Sequence, residues 1–172
     1  MRADDWPNAG YSRLMPQQKK GRTLDPTEAA WLAGLLDGDG TVALPRRHKN
    51  EHRQLEVSIS NTDFALLEYV KSIVGMGRIT RKRSIAKNHT PSGAYQISNR
   101  QALTLLEQIL PYLRTYKSKR AKLVVDNYVR LTPRNGHYTS QLLDERRRFV
   151  HEFLSLNPNH KHRITMTGAW SS

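Results

Sequence analysis

The sequence predicts an α+β domain, a four-stranded antiparallel sheet with helices laid over its apolar face. Three observations carry that reading. Apolar residues recur at helical spacing in "LDPTEAAWLAGLLDGDG" and switch to alternation in "TVALPRR" and "RQLEVSIS" directly after it. The same change, a helix and then two strand-like runs, repeats from "NTDFALLEYVKSIVGMG" onward. The alternating runs are apolar on one side only, so one sheet face needs helical cover and the other faces outward. At 172 residues the chain can hold one domain with a proper core and is too short for two comfortable ones.

The first helix begins at a capping-box pattern, with Asp25 as N-cap, Pro26 at the first helical position and Glu28 three residues after the cap. Trp31, Leu32, Leu35 and Leu36 cover much of its surface, and a helix apolar nearly all round is expected to be buried. Ala30, Gly34 and Gly38 recur every four residues as a small stripe that would admit a second backbone at close range. Gly34 costs about 1 kcal/mol of helix propensity relative to alanine, and close contact gives a reason for it.

In the first hairpin Leu55, Val57 and Ile59 point one way and Gln54, Glu56 and Ser58 the other. The second helix turns Leu66, Leu67, Val70, Ile73 and Val74 inward and ends at Gly75. "RITRKRSIA" and "AYQIS" make a second polar hairpin around the turn-like "KNHTPSG". A helix with Leu103, Leu106, Ile109 and Leu110 is expected to stop before Pro111. Another carries Ala121, Val124, Val125 and Tyr128. A last one, over 139–156, puts Leu142, Phe149, Val150 and Phe153 on one side. Residues 1–24 show no periodicity and read as a basic arm, 25–156 as the domain, and 157–172 as an irregular tail.

Lysine and arginine total 28 against 15 acids, a formal +13. An excess this large points to nucleic acid ahead of a membrane surface or a plain solvated surface. The polar sheet face and its loops offer Arg46, Arg47, Lys49, Gln54, Glu56, Ser58, Thr80, Lys82 and Gln96. These suit base edges and phosphates in a major groove, which admits a β-ribbon; a solvated sheet face is the alternative on the strands alone. The chain has no cysteine, which excludes disulfides and thiolate-held zinc. No apolar run approaches the roughly 20 residues of a membrane span, so no membrane role is expected. "MRADDWPNAG" shows neither a signal-peptide core nor a transit pattern. The expected location is therefore where the chain is made: the cytoplasm of a bacterium or archaeon, or an organelle that encodes the gene.

The first helix ends on two carboxylates, Asp37 and Asp39, with no lysine or arginine beside them in sequence. A helix C-terminus already carries partial negative charge, so this placement is unfavourable unless a cation joins it. Conflicts of this kind mark functional sites.

"LAGLLDGDG", residues 32–40, resembles the motif of the LAGLIDADG homing endonucleases, with Leu36 in place of isoleucine and Gly38 in place of alanine. The motif stands at the head of an αββαββα order over residues 25–131. The resemblance implies the homing-endonuclease fold: a DNA-binding saddle of antiparallel strands with motif helices packed together at its centre. It also implies that Asp39 binds a catalytic divalent metal, aided by the backbone carbonyl of Gly38, while Asp37 is structural. Hard oxygen ligands suit Mg²⁺, with Mn²⁺ as a substitute. The remaining chain holds no second copy of the motif. Family members with one motif act as homodimers, and a symmetric dimer implies a near-palindromic double-stranded DNA target. The small stripe of Ala30, Gly34 and Gly38 is then the dimer interface.

Two more positions follow from the resemblance. Asn61 falls where the family places a polar residue after the second strand, with Asn61 or Thr62 as a helix N-cap being the alternative. Lys117 falls where the family places a lysine near the scissile phosphate, with Lys119 beside it and a general phosphate contact as the alternative. The expected activity is metal-dependent DNA hydrolysis without a protein nucleophile. Of the histidines, His48, His52, His160 and His162 lie in a loop or the tail, without a convincing acidic partner. Rival readings are an intron maturase that binds intron RNA and a DNA-binding regulator that has lost catalysis. Retention of Asp39 favours the nuclease.

Overall fold

The computed structural model describes residues 21–46, 48–49, 51–81 and 90–157. Its elements follow the predicted order: α1 (Pro26–Asp39), β1 (Gly40–Ala43), β2 (Glu56–Asn61), α2 (Phe64–Val74), β3 (Arg78–Arg81), β4 (Gly93–Ser98), α3 (Asn99–Ile109), α4 (Tyr116–Asn127) and α5 (Ser140–Ser155). The four strands form one antiparallel sheet in the order β1-β2-β4-β3.

Local chemistry starts and stops these elements. Asp25 accepts from the amides of Thr27 and Glu28, and Glu28 reaches back to the Asp25 amide, so the capping box is complete. Asp63, not Asn61 or Thr62, caps α2 by accepting from the amides of Ala65 and Leu66. Gly75 ends α2 at φ 71°, a left-handed conformation that favours glycine. The helix predicted to stop before Pro111 does end at Ile109, but a 3₁₀ turn over Leu110–Tyr112 carries the chain through the proline. A proline fits early in such a turn, where its missing N–H has no partner to lose.

Register sorts the side chains as the alternation predicts. Val42, Val57, Ile59, Tyr95 and Ile97 point to the helices and are buried. On the other face Thr41, Ser58, Gln96 and Arg78 line up across the four strands as successive cross-strand partners. Beneath the sheet, Leu32, Leu36, Leu67, Leu105, Leu106, Ile109 and Val124 form one core. Phe149 and Phe153 of α5 extend it over α4.

Residues 22–24, assigned to the arm, are fastened to the domain. Leu24 is buried, its amide donates to Gln108 Oε1 at 2.7 Å, and the Arg22 amide donates to the Val74 carbonyl. Residues 1–20 and 158–172, the rest of the arm and all but the first residue of the tail, lie outside the described residues.

The expectation that α1 is buried on all sides needs correction. Leu32, Ala33 and Leu36 are fully covered, but Ala30, Trp31, Gly34 and Gly38 are exposed. A Cβ added at Gly34 or Gly38 would meet nothing within 4 Å. Among the described residues, only the Leu32, Ala33 and Leu36 side of this helix is covered.

Candidate catalytic centre and nucleic-acid interface

The C-terminus of α1 is held by residues nearly eighty positions away. Thr115, the N-cap of α4, donates its hydroxyl to Asp37 Oδ1 at 2.6 Å, and the Arg114 amide donates to Asp37 Oδ2 at 2.6 Å. The Asp37 carboxylate therefore sits at the N-terminus of α4, where helix dipole and free amides favour negative charge. Lys117 comes from the first turn of the same helix. Its Nζ donates to the carbonyls of Leu36 and Asp37 at 2.8 and 2.9 Å, and the residue is only 5% exposed. This is the cation that the end of α1 lacks in its own sequence. Burial pushes the Lys117 ammonium below the ordinary lysine range, while Asp37 and Asp39 pull it back up.

That arrangement leaves Asp39 as the outward carboxylate. It is exposed, and its Oδ2 accepts from Asn61 Nδ2 at 3.1 Å. The Asn61 side-chain oxygen accepts in turn from the Asp63 amide at 2.9 Å, which fixes the direction of its amide group. Asn61 ends β2, and its register partner is Gly93 of β4. The structure thus brings Asp39, Asn61 and Lys117 to one end of α1, although they are far apart in sequence. Lys119 is exposed and makes none of these contacts.

The donor set suits a hard cation in kind. Asp39 offers carboxylate oxygens, and Gly38 lies in the last helical turn, whose carbonyls lack partners within the helix. Among the described residues no three His, Cys, Asp or Glu side chains gather to hold a metal. At this end of α1 Asp39 is the carboxylate left facing outward, while Asp37 is committed to Arg114 and Thr115. His48 and His52 are exposed, and His52 lies against the Tyr138 ring at 4.4 Å; His160 and His162 lie outside the described residues.

On the sheet face Glu56, Ser58, Thr80 and Gln96 share the polar side, as their registers require. Arg46 and Lys49 are exposed in the β1–β2 loop, where the Arg46 guanidinium donates to the Lys49 carbonyl. Gln54 precedes the strand and is partly occupied: its Oε1 accepts from Asn99 Nδ2 at 3.3 Å. Arg47 and Lys82 lie outside the described residues. Thr41 and Arg78 were not among the predicted contacts, yet they complete the row through Ser58 and Gln96. Arg78 was detectable in principle, being two residues from Thr80 and so on the same face of β3. The engagement of Asp37 by Thr115 and Arg114 had no local signal at all.

The family model described as LAGLIDADG endonuclease matches residues 32–129, more than half of the chain. Solved structures share the fold. The homing endonuclease I-CvuI, in complex with its target in the presence of calcium, is 24% identical with a TM-score of 0.62, over 77% of this chain and 83% of that one. An archaeal intron-encoded homing endonuclease complexed with DNA is 15% identical with a TM-score of 0.59, over 76% and 84% of the two chains. The homing endonuclease I-TnaI is 19% identical with a TM-score of 0.52, over 81% and 94%. With the motif at the end of α1, the αββαββα order and the family match in agreement, this chain belongs to the LAGLIDADG endonuclease family.

Proposed function

We propose that two copies of this chain pair through α1 and hydrolyse both strands of a near-palindromic DNA site with a divalent metal. The observation that carries this is the exposed Asp39 carboxylate at the end of a helix whose Ala30, Gly34 and Gly38 are left exposed by the described residues. Pairing two such faces would bring two Asp39 side chains together, one for each strand, and cover the exposed side of α1. A monomer would supply one free carboxylate for two strands.

Asp39 and the Gly38 carbonyl would hold Mg²⁺, with Mn²⁺ able to substitute. The chemistry such an ion supplies is activation of water and neutralisation of phosphate charge. The chain's own residues do the positioning. Asn61 fixes the Asp39 carboxylate, and Asp37 and Lys117 lock the end of α1 to α4. The buried Lys117 ammonium adds positive potential below the carboxylates, where it offsets the negative end of the helix. Thr41, Ser58, Gln96 and Arg78 face outward in one row and would meet base edges, while loop cations meet phosphates.

Asp39→Asn is the direct test, using DNA from the insertion locus of the gene with and without Mg²⁺. The variant should lose cleavage and keep or improve binding, because it removes both a ligand and a repulsive charge near phosphates. Near-normal turnover of Asp39→Asn in Mg²⁺ would overturn the assignment.

A further inference from the structure

The β1–β2 loop and α5 wall a groove of about 600 Å³ at the opposite end of β1 from Asp39. Arg46, Lys49 and His52 stand on the loop side; Arg147 and His151, one helical turn apart, stand on α5. All five are exposed, and between the walls lie the aliphatic side chains of Leu143 and Val150.

Two features make this more than a solvated basic surface. The first is that Arg46, Lys49, Arg53 and Arg146 form no ion pair among the described residues. Arg53 and Arg146 lie against the groove and give their guanidinium hydrogens to the carbonyls of Leu44, Leu131 and Arg53, which are neutral acceptors. Among the described residues the acids at hand are Glu51 on the rim and Asp144, which pairs with Arg147 at 2.8 Å. Burial, and after it the charges of Arg146 and Arg46, hold the His52 imidazole below the ordinary histidine range. The second is continuity. Arg46 and Lys49 belong to the loop that joins two strands of the outward polar face, so one wall of the groove is continuous with that face.

We propose that this groove seats the sugar–phosphate backbone of the duplex beyond the base pairs read by the sheet. Phosphates meet the cationic rims, and deoxyribose carbons meet the aliphatic side chains between them. The inference rests on the DNA-binding reading above and extends its footprint outward.

The test uses full-length protein and one selected target sequence in two lengths. One duplex ends at the last base pair whose identity a binding-site selection constrains. The other carries about ten further base pairs on each side, roughly one helical turn. Wild-type protein should bind the longer duplex about tenfold more tightly. The double variant Arg147→Ala/His151→Ala should bind the two lengths alike. Its log–log salt slope on the longer duplex should be flatter by about 0.9 per lost phosphate contact. Wild-type affinity independent of length, or a variant that retains the length preference, would overturn the proposal. So would a variant-sensitive preference for structured RNA over either duplex. Cleavage of the short duplex by wild-type protein reports on the function reading alone, so the two failures are distinguishable.

Discussion

Replacing Lys117 by methionine separates two roles that the family position leaves merged. Methionine keeps the length and most of the volume of the side chain but removes its ammonium. The structure assigns Lys117 Nζ two hydrogen bonds, to the Leu36 and Asp37 carbonyls, in a site only 5% exposed. Hydrogen bonds to a charged group contribute about 1.5–3 kcal/mol each. Some loss is offset because the variant no longer buries a charge, and Leu36 O keeps its bond from the Gly40 amide. The net cost should be about 2–4 kcal/mol. With a urea m-value on the order of 2 kcal/mol per molar, the unfolding midpoint should fall by about 1–2 M. Protein concentration must be held fixed, since the proposed pairing of two chains would contribute to stability. Cleavage rate should fall further than DNA affinity, because the displaced backbone is the one that carries Asp39. A midpoint equal to wild type with cleavage abolished would refute the locking role and place Nζ at the phosphate instead.

Five further outcomes can be checked. The Lys117 ammonium titrates below the ordinary lysine value of 10.5, so on raising the pH the folded chain loses that proton before the unfolded chain does. Stability then rises with pH across that alkaline interval, and the difference between wild type and Lys117→Met in urea should widen there; a constant difference would contradict it. A Cβ added at Gly34 meets nothing within 4 Å among the described residues, so the folded monomer should survive Gly34→Leu while sedimentation shows loss of the proposed dimer. A variant that remains dimeric would remove α1 as the interface. Gln96→Ala should relax preference at particular base pairs by about 1–3 kcal/mol in a binding-site selection. Neutralising Lys19 and Lys20 should weaken all sequences evenly and flatten the salt slope, and a shifted sequence preference would place the DNA elsewhere. Tyr128→Phe strips the buried Leu55 amide of its acceptor and Asn99 Oδ1 of its donor, and should cost about 1–3 kcal/mol in unfolding measurements.

Periodicity and punctuation wrote much of this fold into the chain. Alternation in "RQLEVSIS" set which side of β2 is buried, because side chains alternate between faces along a strand. The Asp25–Pro26–Glu28 cap set where α1 begins, since a side chain three residues from its partner needs no tertiary help. Nine residues of motif were enough to single out Asp39, and its position in the chain located the second strand and Asn61. Tertiary structure decided what depends on contacts across long stretches of chain. It assigned Asp37 to the Arg114 and Thr115 amides and Lys117 to the α1 carbonyls, contacts separated by about eighty residues and invisible to any local pattern. It showed that the stripe on α1 lies open rather than buried, because burial is a property of what packs nearby and not of composition. The free carboxylate of Asp39 is the outcome of both: sequence placed two aspartates at a helix end, and packing consumed one of them.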